Sequence, residues 1–260
     1  MNYNYHTHTP WCSHATGSPE EYVLRAIECG IEYLGFSDHS PMKFPDGFEM
    51  YWRVQSDSAK KYVDEIRALR EKYGRKIDIK IGFEMEYYPE YFDTMLSNAI
   101  EYGAEYLILG QHFITPEFEH PKNFHSVTPH ENEDELVAYA DGLVAAMASG
   151  VYTYVAHPDI FAFTGDEETY KREMRRICRA SKEYGIPLEL NLLGIRTNRK
   201  YPNEIFWKIA GEEGSPVTYG FDAHTLEAVY DAPSIPRAKE LTEKYGLNYI
   251  GKPTLRPLTK

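Results

Sequence analysis

The sequence predicts an α/β fold, and specifically a one-domain β/α barrel spanning residues 1–260. Three observations carry this. A short apolar strand, a polar or Gly-containing loop and an amphipathic helix recur in that order seven times, the rhythm of a mainly parallel sheet. The units repeat at roughly 30–40 residues, so the chain has the length of a barrel of about 250 residues. No Gly-rich phosphate loop follows the first strand, as a doubly wound open sheet would usually require.

The elements follow in order. Strands are expected at Tyr3–His6, Tyr33–Ser37, Asp78–Glu84, Tyr106–Leu109, Tyr152–Ala156, Pro187–Asn191 and Val217–Phe221. Helices are expected at Ser18–Cys29, Ser56–Lys72, Tyr91–Tyr102, Glu133–Ala148, Glu167–Tyr184, Asn203–Glu212 and Ser234–Tyr245, the last leading to a short apolar end, Asn248-Tyr249-Ile250. Ser18-Pro19-Glu20-Glu21 supplies an N-cap, a first-turn proline and acids at the positive end of the helix dipole. Gly30, Gly74, Gly103, Gly150, Gly185 and Gly246 stand where C′ glycines end helices.

Composition narrows the function. Twenty-two Tyr, 12 Phe and 3 Trp supply the apolar area that an ordered core needs. The net charge of −12 argues against a broad nucleic-acid surface, which requires clustered Lys and Arg, but leaves a small phosphorylated substrate open. No run reaches the roughly 18 apolar residues of a membrane span. Met1–Tyr5 lacks a basic or apolar leader, and Cys12, Cys29 and Cys178 are scattered, so a reducing cytoplasm is expected. Cys29 and Cys178 read as small core residues; Cys12 stands between His8 and His14.

The chemistry lies in where the histidines fall. Ten in 260 residues would give about 0.4 His-x-His pairs by chance, so His6-Thr7-His8 alone says little. Its position says more: it ends the first strand, and alternate strand residues share a face. The pattern then recurs. His39 follows the second strand, Glu84 ends the third, His112 follows the fourth, His157 the fifth, and Asp222 and His224 the seventh, with His14 in the first loop. In a barrel these positions converge on the C-terminal face. Seven imidazoles and two carboxylates packed together would repel if protonated, and divalent metals resolve the conflict by binding neutral imidazoles. Glu86, on the same strand face, could stand in for Glu84; Asp38, beside His39, reads as a residue behind the ligands or a loop hydrogen-bonder. His120, His125 and His130 lie in the long 113–132 connection and read as loop or substrate-facing residues.

At these residues the sequence resembles the PHP (polymerase and histidinol phosphatase) family of metal-dependent phosphoesterases, over essentially its whole length. His6-Thr7-His8-Thr9 with His14 looks like the first family motif, Ser37-Asp38-His39 the second, Gly82-Phe83-Glu84 the third, and Phe221-Asp222-Ala223-His224 the closing one. The run Glu189–Arg196, followed by Tyr201-Pro202, is similar to the histidinol-phosphate phosphatase branch. The branch usually has a small serine where Phe221 stands, and its approach to the histidine differs from Gly110-Gln111-His112.

The resemblance implies a distorted seven-stranded, TIM-like barrel of the PHP fold with three divalent ions, for which zinc, manganese and iron all suit the donors. His6, His8, Glu84 and Asp222 would hold one. Glu84 would bridge to a second with His112 and His157, and His14, His39 and His224 would hold the third. Six positive charges would then face only Glu84 and Asp222, a strongly cationic centre in an acidic protein. A hydroxide shared by two metals would attack phosphorus. Arg196 would offer its guanidinium fork to a phosphoryl oxygen, with Arg199 and Lys200 nearby. Tyr51-Trp52-Arg53 and the 113–132 segment, with Glu117 and Glu119, would meet a cationic amino alcohol such as histidinol. The expected reaction is hydrolysis of L-histidinol phosphate. Two alternatives are a PHP phosphoesterase acting on a nucleotide or other small ester, and a non-catalytic metal-binding module. An amidohydrolase barrel also begins with His-x-His but has no need of His14, His39 and His224 together.

Overall fold

In the computed structural model, which describes residues 1–119 and 126–258, each strand pairs in parallel with the next along the chain. The order is β1 (Tyr3–Asn4), β2 (Tyr33–Phe36), β3 (Asp78–Met85), β4 (Tyr106–Leu109), β5 (Tyr152–Val155), β6 (Leu188–Asn191), β7 (Pro216–Gly220) and β8 (Asn248–Tyr249). Eight strands therefore replace the expected seven. The eighth is the short apolar end, paired through Pro216↔Asn248 and Val217↔Tyr249. Two exposed residues are too few to show alternation, so only the pairing reveals them. At the histidine-bearing end the sheet curls shut on seven strands. The His8 N–H donates to the Ala223 carbonyl at 2.9 Å, and the Ala223 N–H to that of His6 at 3.1 Å. At the opposite end β8 extends the sheet beyond β7, and the Tyr249 hydroxyl lies 3.2 Å from that of Tyr3 in β1.

The helices are α1 (Pro19–Glu28), α2 (Ala59–Tyr73), α3 (Phe92–Tyr102), α4 (Glu133–Ser149), α5 (Glu167–Tyr184), α6 (Leu192–Arg196), α7 (Glu204–Glu213) and α8 (Ile235–Tyr245). Ser18 and Glu21 close a reciprocal capping box on α1, worth about 1 kcal/mol. In α5 the buried Tyr170, Met174, Ile177 and Cys178 recur at helical spacing, and charged residues take the other face. Gly103, Gly150, Gly185 and Gly246 cap helices in the left-handed region as expected, but Gly74 does not: at φ −62° it ends α2 in right-handed geometry. Cys178 is buried, whereas Cys29 is only partly covered at the end of α1.

Alternation along β3 positions the site. Ile79, Ile81, Phe83 and Met85 belong to the large core cluster that includes the helices' buried faces. Glu84 therefore projects to the barrel interior at the strand's C-terminal end. Below it the interior is filled by Tyr3, Tyr5, Tyr106, Ile108, Tyr154 and Ala156. The barrel is thus packed, with polar chemistry confined to its mouth. No helix among the described residues is long and apolar enough to cross a membrane.

Candidate active site

Glu84 sits at the centre of the mouth, 1% exposed. Its Oε1 lies 2.8 Å from His157 Nε2 and 3.5 Å from His112 Nε2. Its Oε2 lies 3.2 Å from His39 Nδ1, 3.3 Å from His8 Nε2 and 3.5 Å from His6 Nε2. Asp222 Oδ1 faces His224 Nδ1 at 3.2 Å, His8 Nε2 at 3.5 Å and His6 Nε2 at 3.6 Å. His14 and His224 approach through their Nε2 atoms at 3.0 Å. All nine residues that the sequence singles out as metal ligands meet at one mouth, contributed by six strand ends and the loops that follow them. Two of them, His157 (φ +32°) and Asp222 (φ +47°), hold left-handed backbone, a conformation that costs energy in non-glycine residues and concentrates at functional sites. Gly110 leaves room for Glu84, since a Cβ there would overlap the carboxylate.

The donor set fits a metal. His6 Nε2, both ring nitrogens of His8, His39 Nδ1, His157 Nδ1, Glu84 Oε2 and Asp222 Oδ1 are buried without a hydrogen-bond partner. An orphaned buried polar atom costs about 1–3 kcal/mol, so a cluster of them marks a missing partner. Four overlapping sets bring three or more donors within 4.8 Å: His6–His8–Asp222, His6–Glu84–His157, His39–Glu84–His112 and His8–His14–His39–His224. The grouping differs in detail from the expected partition, because His112 groups with His39 and His157 with His6. A further set, His8–Cys12–Asp38, is weaker. Burial pushes the Cys12 thiol up, so it stays protonated, and its Sγ–H donates to the Thr9 carbonyl at 3.0 Å. Asp38 accepts from the Thr9 N–H at 2.8 Å and its hydroxyl at 3.0 Å, the loop role expected of it.

Electrostatics divide the imidazoles. Burial, aided by the facing His224, holds His8 down at about 3, and burial also lowers His14 and His39. These three are neutral and ready to ligate. For His6, burial is outweighed by Glu189, Asp222 and Glu84, and its affinity for a proton rises; for His112, Glu84 and Glu86 do the same. Against the cost of burial, the imidazoles hold Glu84 and Asp222 well below the usual carboxylate range.

The residues behind the ligands were not assigned from sequence. Glu189 accepts from His6 Nδ1 at 2.7 Å. Glu86 does not substitute for Glu84; it lies 2.9 Å from His112 Nδ1 and 2.5 Å from the guanidinium of Arg53. Such carboxylates orient ligand histidines. They also place two further buried carboxylates next to the candidate ligands, Glu86 being shared with Arg53. The signal was a glutamate inside the apolar strand Leu188–Asn191, because a charged residue with both faces buried requires partners.

Other expectations change. Arg196 does not reach the cavity. The short α6, capped by Asn191, turns its guanidinium behind the ligands, where it donates to Asp231 at 2.9 Å and to the carbonyls of Asp222 and Phe221 at 3.1 and 3.3 Å. Arg199, beyond α6, lines the cavity and donates to the Tyr201 hydroxyl at 3.0 Å. Trp52 lines it as expected, edge-on to His39 and stacked on Phe113. Lys200 faces only a smaller neighbouring cavity. Glu117 is unavailable to a substrate, being fully buried and paired with Arg53. His130 braces its loop against Glu135 at 2.7 Å, and His120 and His125 lie outside the described residues. Phe221 packs into the core against Tyr230. The cavity measures about 600 Å³, and Met50, Tyr51, Ile160 and Leu193 complete its outer wall.

Known proteins are similar to this chain in sequence and in fold. A probable histidinol-phosphatase of Deinococcus radiodurans is 29% identical over 230 residues, covering 84% of this chain and 85% of that one. The histidinol-phosphatase of Bacillus subtilis is 24% identical over 249 residues, covering 84% and 92%. The fold matches the crystal structure of histidinol phosphate phosphatase from Lactococcus lactis, complexed with zinc, L-histidinol and phosphate. That match has a TM-score of 0.73 and 20% identity, and covers 100% of this chain and 99% of the other. The PHP domain model matches residues 4–192, from the first strand past the sixth, and the chain therefore belongs to the PHP domain family.

Proposed function

We propose that this chain is a metal-dependent phosphatase that hydrolyses L-histidinol phosphate to L-histidinol and phosphate. The observation that carries the chemistry is Glu84, one carboxylate with five imidazoles within 3.5 Å and an orphaned oxygen. The histidinol-phosphatase relatives support the substrate. His6, His8, His14, His39, Glu84, His112, His157, Asp222 and His224 would hold three ions of zinc, manganese or iron, with Glu84 shared between two. Bound there, divalent ions lower the pKa of water toward neutrality and offset charge on the phosphoryl group.

The chain's own residues do the rest. Arg199, held by the Tyr201 hydroxyl, presents its guanidinium to a non-bridging phosphoryl oxygen. Trp52 and Phe113 line the part of the cavity that the imidazole of the leaving group would enter. Buried Glu86 and Glu189 keep His112 and His6 aimed with the correct ring nitrogen outward. Asp222 and Glu84 stay ionised because imidazoles surround them.

One observation favours a second ester. The only acids lining the cavity among the described residues are Glu84 and Asp222, both in the ligand set. No spare carboxylate meets an ammonium, so a neutral aromatic or nucleotide phosphate is the competing substrate. Metal content and phosphate release, measured together on a panel at matched metal loading, decide between them. The proposal requires at least two tightly held ions per chain, and kcat/KM for histidinol phosphate above that for an aryl phosphate and a nucleotide. Parity with the aryl phosphate removes the substrate assignment; activity without tight metal removes the chemistry.

A further inference from the structure

Glu189 lies in β6, which supplies none of the nine ligands, yet it touches two of them and is linked to a third. One oxygen accepts from His6 Nδ1 at 2.7 Å. The other accepts from the backbone N–H of His157 at 3.0 Å and from Asn191 Nδ2 at 2.8 Å. The same Asn191 amide donates to Asp222 Oδ2 at 3.1 Å. Glu189 is fully buried, and Gly220 on β7 opens the space it occupies, since a Cβ there would overlap its carboxylate. We infer that Glu189, acting with Asn191, is the positioning residue that sets His6, His157 and Asp222 in register for metal. This inference rests on the metal centre proposed above.

The chemistry at each contact is specific. With Nε2 of His6 facing Glu84 and Asp222, a metal held there would leave the ring's single proton on Nδ1, where Glu189 accepts it. The N–H bond at His157 anchors a ligand whose left-handed backbone needs external support. The Asn191 amide divides its two hydrogens between Glu189 and Asp222, leaving Asp222 Oδ1 toward His6, His8 and His224. All three contacts require an acceptor on Glu189. A glutamine has one acceptor oxygen and one donor NH2, so either orientation sets donor against donor.

The test is zinc binding by chelator-stripped protein, with melting of the metal-free form alongside. Glu189→Gln is expected to weaken the tightest zinc binding about 10- to 100-fold, and to shift the His6 Nδ1 resonance of the zinc-loaded protein in ¹⁵N NMR. Asn191→Asp keeps the oxygen that caps α6 but sets a carboxylate against Glu189 and Asp222. It is expected to weaken zinc binding as well, and it decides the matter if Glu189→Gln fails to fold. Wild-type zinc affinity in either folded variant overturns the inference, as does an equal loss of melting temperature with and without zinc. Wild-type protein that binds no zinc, manganese or iron tightly would instead overturn the phosphatase reading and this inference with it.

Discussion

Arg196 and Asp231 form a partly buried ion pair, Nη1 to Oδ2 at 2.9 Å, directly behind the chain that carries Asp222. The arginine that sequence places on the phosphate therefore braces a ligand loop, and Arg199 holds the position facing the cavity. The two are separable. Arg196→Ala leaves Asp231, 5% exposed, without its cation, and should cost about 1–3 kcal/mol in urea unfolding while leaving KM near wild type. Arg199→Ala should raise KM about tenfold, as expected for one lost charge-assisted bond, with unfolding unchanged. The reverse pattern would return the clamp to Arg196.

Glu84→Ala and His157→Ala remove a shared carboxylate and the imidazole 2.8 Å from it. Each should reduce kcat by at least about a thousandfold, since metal charge stabilisation is worth several kcal/mol. Bound metal, measured by elemental analysis, should fall in parallel.

Arg53 is fully buried between Glu86 and Glu117 and also donates to the Ser40 carbonyl at 3.0 Å. It ties the loops after β2, β3 and β4 together behind His112. Arg53→Met should destabilise by about 3–5 kcal/mol, because it strands two buried carboxylates. The double variant Arg53→Met/Glu117→Gln should recover part of this, measured by thermal unfolding.

Glu204 joins α7 to α8 through Lys244, Tyr245 and Arg237, and these hydrogen bonds hold its carboxyl down at about 2. A depressed carboxyl stabilises the fold above its unfolded pKa, near 4.3, and that contribution is lost as pH falls toward 2. Glu204→Gln should thus lower the melting temperature slightly at pH 7, by less than about 1 kcal/mol equivalent for so exposed a group. The difference from wild type should vanish near pH 2.

How much of this was legible differs between fold and site. Apolar runs of four or five residues, glycine stops and helical periodicity located every strand but the last and every helix but the short α6. Tyr106–Leu109 and Glu167–Tyr184 match to the residue. The nine candidate ligands were legible because they sit at strand ends, where topology alone sends them to one face. Arg196 is not legible as a brace because it ends a five-residue helix, too short for any periodicity to reveal, and its partners lie 25–35 residues away. Glu117 was misread because acidity in a loop looks the same whether a carboxylate faces solvent or a buried arginine 64 residues away.

Local pattern, then, determines the order of elements and which candidate ligands reach the barrel mouth, since strand alternation and loop position are properties of neighbouring residues. Tertiary structure decides which carboxylates stand behind the ligands, which arginine faces the cavity and how charge balances at the centre. Those depend on side chains that meet across strands far apart in sequence, as Glu189 meets His6, and their burial makes each such meeting obligatory.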